Sequence, residues 1–229
     1  MDSHFRGQNL SCIRGDRPIF SNLAFDLPPG RALILKGANG SGKSSLMKII
    51  VGLLPTEAGS LSFGDDEILG HKDWISHNIC YLAHKNGLKP ELTVAENLAF
   101  WSKISHPERD QSEDEIRQQA TKIDIDHCLD LPCAYLSSGQ ARRAALTRVL
   151  CHPGKIWLLD EPTVGLDAQG VELLAGLMND HLRAGGRILA ATHIELGLEP
   201  ELSSTLDMGE FRFSPDVGSQ DYWTEEPLC

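Results

Sequence analysis

Leu23, Phe25 and Leu27 alternate with Ala24 and Asp26, the period of two that marks a strand with one buried face. On this pattern residues 5–35 read as β-rich, interrupted by the turn Pro28-Pro29-Gly30. Ala32-Leu-Ile-Leu35 does not alternate, so it predicts a short strand buried on both faces. Residues 45–51 then read as a helix, and Leu61-Ser-Phe63 as another strand. From about residue 86 the pattern turns helical. Thr93-Val-Ala-Glu96 and Ser112-Glu-Asp-Glu115 have the spacing of capping boxes, in which hydroxyl and carboxylate each take up an exposed backbone N–H. Ile116, Ala120 and Ile123 follow on one helical face. Lys155-Ile-Trp-Leu-Leu-Asp160 returns to a buried strand. Val171, Leu174, Met178 and Leu182 form a helical stripe ended by Gly185-Gly186, and Arg187-Ile-Leu-Ala-Ala-Thr192 is one more buried strand. This order predicts an α/β fold with a largely parallel core sheet. Residues 1–85 and 151–213 build the core, and residues 86–150 are inserted as a helical lobe. Residues 214–229 carry turn and acidic residues with little periodicity and read as a loose tail.

Composition narrows the function classes. Hydrophobic residues are 41% of 229, enough for a substantial core. The net charge of −11 argues against a nucleic-acid partner held by a broad basic surface. No apolar run approaches the ~18–20 residues that span a bilayer, and the first residues lack the layout of a secretory signal. A cytosolic protein is expected, one that reaches a membrane only through partners. The six cysteines are scattered with no C-x-x-C pair, which suits reduced thiols.

The chemistry is concentrated in three places. Gly37-Ala-Asn-Gly-Ser-Gly-Lys-Ser44 has the spacing of a phosphate-binding loop, between the predicted strand and the predicted helix. Glycines let backbone N–H groups turn into one concavity, and the helix start adds positive dipole. Gly37, Asn39, Gly40, Ser41, Gly42, Lys43, Ser44 and Ser45 are the candidate ATP contacts, with Lys43 on the β- and γ-phosphates and Ser44 on Mg²⁺. Asp160-Glu161 ends a buried strand, where Asp160 can hold Mg²⁺ and Glu161 can orient an attacking water. Leu136-Ser-Ser-Gly-Gln140 precedes a credible helix. Ser137, Ser138 and Gly139 at its start offer hydroxyls, N–H groups and dipole to a second anion. A second phosphate site on a chain that already has one makes sense if it serves a partner's nucleotide.

In this order the motifs resemble those of the nucleotide-binding subunits of ABC transporters, over roughly residues 8–210. The resemblance implies a P-loop NTPase core with an N-terminal antiparallel β subdomain and an inserted helical lobe. It implies hydrolysis of Mg-ATP by two copies paired head to tail. Ser137, Ser138, Gly139 and Gln140 of one copy would close over the ATP on the loop of the other. Glu161 is implied as catalytic, His193 as the histidine at the γ-phosphate, and Asp167 as a residue of the dimer interface. Three positions depart from the family pattern. Ser138 stands where a glycine is usual. His84 replaces a glutamine, and its imidazole can still serve near Mg²⁺. Arg14 replaces an aromatic, and its planar guanidinium can still stack on adenine.

Residues 81–98, 136–150 and 167–174 are further similar to the ATPases of the bacterial cytochrome c maturation (haem export) system. That implies integral-membrane partner subunits of the same system, a peripheral place on the cytoplasmic face of the inner membrane, and a role in haem handling. An ABC transporter ATPase for another cargo is the alternative. Soluble ABC ATPases of DNA repair or translation fit poorly, because the chain has one P-loop and no sustained heptads. The surface for membrane subunits is expected around residues 84–98. His71, His77 and His84 fall in one stretch but form no arrangement that points to haem ligation.

Overall fold

The computed structural model describes residues 3–109 and 111–212. The β-rich start forms a four-stranded antiparallel sheet from β1 (Phe5–Arg14), β2 (Arg17–Leu27), β4 (Ala58–Phe63) and β5 (Asp66–Glu67), in the order β2-β1-β4-β5. Along β2 the predicted alternation is realised, with Leu23, Phe25 and Leu27 buried and Ala24 and Asp26 exposed. A second sheet holds β6 (Ile79–Leu82), β7 (Ile156–Asp160), β8 (Arg187–Ala191), β3 (Arg31–Lys36) and β9 (Ser203–Asp207), all parallel and in that order.

The unbroken apolar strands have a simple cause: both faces of the parallel sheet are covered. Ala32, Ile34, Trp157, Leu159, Ile188 and Ala190 join one core with residues of the helices α3 (Val94–Ser105), α4 (Glu113–Thr121), α5 (Ser138–Cys151) and α6 (Ala168–Arg183). Their neighbours Leu33, Leu35, Ile156, Leu158, Leu189 and Ala191 join the other core. That core also takes residues of α1 (Lys43–Ile50), of α2 (Lys72–Asn78) and of the antiparallel sheet.

Both predicted capping boxes form, Thr93 with Glu96 at α3 and Ser112 with Glu115 at α4. In α6, Leu174, Met178 and Leu182 are buried and Val171 half-buried, while the polar Asn179 is buried beside them. Its amide donates to Gly197 O (3.1 Å) and accepts from Glu199 N (3.0 Å), which satisfies it. The edge strand β9 was not anticipated. Ser203-Ser-Thr-Leu-Asp207 is polar and half-exposed, and only its pairing with β3 makes it a strand. The expected loose tail, 214–229, lies outside the described residues.

Candidate functional site

The adjacent strands β7, β8 and β3 end at one edge of the sheet, and their register aligns Asp160, Ala191 and Leu35. The segments that leave these ends therefore converge. They are the loop at 37–42, Glu161 and His193. With Arg14, Ser44, Ser45 and His84 they line one cleft of about 970 Å³.

The loop can follow its path because Gly37, Gly40 and Gly42 adopt φ of 136°, 81° and 102°. Gly42 is doubly constrained, since a Cβ there would lie 2.7 Å from Phe20 Cδ1 and 2.8 Å from Ile19 Cγ2. It is the N-cap of α1, with no side-chain cap and no acidic residue in the first turn. The N–H groups at this helix start are thus left for an anion. Ser41 Oγ is buried with no partner among the described residues. Lys43 is buried, and its Nζ donates to Gly37 O (2.7 Å) and Ala38 O (3.1 Å).

Glu161 is a non-glycine residue at φ 49°, and its N–H donates to Ala191 O (2.8 Å). Its Oε1 lies 3.6 Å from His193 Nε2, which donates to Asn39 Oδ1 at 3.1 Å. The structure thus brings Asn39, Glu161 and His193 together. Asp160 is 5% exposed, and among the described residues no donor hydrogen-bonds its carboxylate. A buried carboxylate and the Ser44 hydroxyl, which line the same cleft, are oxygen ligands of the kind a hard divalent cation takes.

Ser137, Gly139 and Gln140 line a different depression, of about 390 Å³, with Asp167. It shares no residue with the first cleft. Ser137 Oγ accepts from Gln140 N (3.2 Å), and Gln140 Oε1 accepts from Ser137 N (2.9 Å). A third capping box therefore takes up the N–H groups of Ser137 and Gln140, while the Ser137 hydroxyl keeps its own proton to donate. Ser138, the first residue of α5, is exposed. A Cβ at Gly139 would come 2.9 Å from Gly165 O, so no side chain fits there. Asp167 caps α6 through Gly170 N (2.9 Å) and pairs with Arg143 Nη2 (2.8 Å). The Gly170 N–H, then Arg143, hold its carboxyl below the usual range.

Sequence reasoning missed Arg17 and Arg212, which line the main cleft beside Arg14. Gly15-Asp16 between two β-rich stretches is a hairpin signal that would have put Arg17 opposite Arg14, where the structure has it. It also missed the arginines of α5. Arg142 binds backbone around Asp160 and Glu161, and Arg148 donates to Tyr81 O (2.9 Å). No local pattern marks them, because their acceptors are distant carbonyls.

Beyond the cleft, Leu53, Tyr81, Gly87, Leu98, Trp101 and Ile104 line an apolar groove of about 630 Å³. His106 and His152 lie at its edge. Of the sequence-clustered histidines, His77 packs on His106 (5.0 Å between rings), and His106 on His152 (4.9 Å). His152 uses both nitrogens, Nε2 on Ser76 O (3.0 Å) and Nδ1 from Gly154 N (2.9 Å). Burial pushes its pKa down to about 4.

The model of the ABC transporter family matches residues 20–164. The chain is 42% identical over 195 residues to the "Cytochrome c biogenesis ATP-binding export protein CcmA" of Bradyrhizobium diazoefficiens, covering 84% of this chain and 93% of that protein. It is 44% identical over 192 residues to the protein of the same name from Rhodopseudomonas palustris, covering 84% and 92%. Among solved structures it resembles a putative ABC transporter ATP-binding protein from Pyrococcus furiosus, with a TM-score of 0.78 at 19% identity over 92% of this chain and 100% of that one. An ATP-binding subunit of an ABC transporter gives 0.77 at 23% identity, over 90% and 86%.

Proposed function

The chain belongs to the ABC transporter family, and from that premise we propose that it hydrolyses Mg-ATP to drive membrane subunits in bacterial cytochrome c biogenesis. The observation that carries the reading is the convergence of the phosphate-binding loop, Asp160, Glu161 and His193 in one cleft. On nucleotide entry, Lys43 exchanges the carbonyls of Gly37 and Ala38 for phosphate oxygens, and the start of α1 adds its N–H groups. Glu161 orients and polarises the water that attacks the γ-phosphorus. His193, fixed on Asn39 and beside Glu161, holds the γ-phosphate side of the site. Ser44 and Asp160 would hold Mg²⁺, which neutralises charge on the phosphates when bound. Arg14 lies in the same cleft as the candidate for stacking on adenine.

The cleft is half of a site in this reading. Ser137, Ser138, Gly139 and Gln140 of a second copy complete it, with Asp167 at the interface between copies. The separation of the two depressions within one chain supports that division. Membrane subunits dock where residues 84–98 border the apolar groove, at the cytoplasmic face of the inner membrane. Leu53 and Ile104 there are 69% and 52% exposed, and no helix of the described residues is long and apolar enough to cross a membrane itself. His84 at the cleft and Ala83 at the groove connect docking to chemistry along a single segment.

Glu161→Gln tests the mechanism. It should keep ATP affinity, abolish turnover, and accumulate an ATP-bound dimer in light scattering. Turnover at the wild-type rate would move the catalytic carboxylate elsewhere. Deletion of the gene tests the cargo and should remove c-type cytochromes. Normal c-type cytochrome levels would assign the ATPase to another cargo.

A further inference from the structure

Arg142 lies near the start of α5 and is 2% exposed. Its guanidinium donates from Nε to Pro162 O (3.1 Å), and from Nη2 to Asp160 O (3.0 Å) and Glu161 O (2.6 Å). From Nη1 it donates to Ala83 O (3.1 Å) and Asn86 Oδ1 (3.0 Å). An arginine has five N–H donors in a rigid plane, and these bonds use all of them. Every acceptor is a neutral carbonyl or amide oxygen, so this buried cation is not there to close an ion pair.

What the fork joins is informative. One side holds three successive carbonyls around Glu161, a residue kept in the left-handed region where non-glycine residues are strained. With the Glu161 N–H fixed on Ala191 O, the peptide groups on both sides of Glu161 are pinned, which sets where its side chain can point. The other side of the fork holds Ala83 and Asn86, which flank His84. Ala83 borders the groove, as do Lys85 and Gly87 of the same segment. We propose that Arg142 is a positioning residue for ATP hydrolysis: its planar fork aims Glu161 and locks that aim to the segment carrying His84. This rests on the ATPase reading above. A shift of residues 83–86 by a partner in the groove is then transmitted to Glu161 through one rigid group.

The test compares steady-state ATPase kinetics, ATP affinity and melting temperature of the full-length wild type, Arg142→Lys and Asn86→Ala. Lysine keeps the charge and loses the fork. Arg142→Lys is expected to lower kcat on the order of 10- to 100-fold, the scale of a misaimed catalytic group, with KM and ATP affinity within about twofold. Asn86→Ala removes one acceptor from a half-buried position and should lower kcat by about two- to fivefold with KM unchanged. A wild-type kcat in Arg142→Lys would show that charge alone suffices and overturn the proposal. So would a loss confined to KM, or a lower melting temperature with kcat intact. If Arg142→Lys does not fold, an unchanged kcat in Asn86→Ala overturns it instead. A wild-type chain that neither binds nor hydrolyses ATP would sink the ATPase reading and this inference with it.

Discussion

In the proposed mechanism Lys43 exchanges its hydrogen-bond partners when nucleotide arrives. Here its ammonium closes the loop on two of its own carbonyls, so it is already desolvated and pointed inward. Replacing those carbonyls by phosphate oxygens gives a stronger bond, charged on both sides. Lys43→Ala should therefore weaken ATP binding by ~10- to 100-fold, the value of hydrogen bonds to a charged group, measured by titration calorimetry. Unchanged affinity would mean that the loop does not hold the phosphates. The loop residues and Asp160-Glu161 were legible in the sequence because their chemistry is tied to fixed local spacing. Arg142, Asn179 and Arg212 were not. Each acts on, or sits beside, groups far along the chain, and no spacing rule reports that.

At the scale of elements, the starts of the helices are assigned different tasks. Three of them are closed by reciprocal bonds, Thr93–Glu96, Ser112–Glu115 and Ser137–Gln140, whereas α1 is left open at Gly42. A capping box takes up only the N–H groups of the N-cap and of N3, so the start of α5 keeps those of Ser138 and Gly139, whereas α1 has no box at all. Thr93→Ala removes one bond of the box at α3 and should cost about 1 kcal/mol of stability in urea unfolding, with ATP affinity unchanged. A loss of affinity would mean that α3 reaches the cleft. The same helix depends on Asn97, whose buried amide donates to Lys89 O (3.0 Å) and accepts from Lys89 N (2.8 Å). The boxes at Thr93 and Ser112 were readable as sequence patterns. Asn97 and the polar edge strand β9 were not, because a buried amide and an exposed strand both read as loop until their partners are known.

Across the whole molecule, acid should unfold this protein through its half-buried histidines His152 and His181. His152 is locked neutral by its two bonds, and His181 stacks on Trp157 at 3.7 Å. Burial lowers both from the ordinary 6.5 to about 4. Between those values the unfolded chain takes up protons that the folded chain refuses. The stability they contribute is therefore full above about pH 6.5 and is lost as pH falls toward 4. The melting temperature should drop by about 5 °C or more from about pH 7 to about pH 5. The drop should shrink in His181→Phe, and a flat profile would contradict the assignment. The sequence by itself determined the α/β order, the strands buried on both faces, the glycine-rich loop between strand and helix, and the carboxylate pair, since each is written in periodicity or in contiguous residues. Only the tertiary structure decided that β7, β8 and β3 lie side by side, so that Asn39, Glu161 and His193 meet in one cleft. It also decided that Ser137 and Gln140 stand outside that cleft and that Arg142 spans two segments. Sheet order and side-chain reach depend on which strands pair, and that is settled by packing of both faces at once, not by any local run of residues.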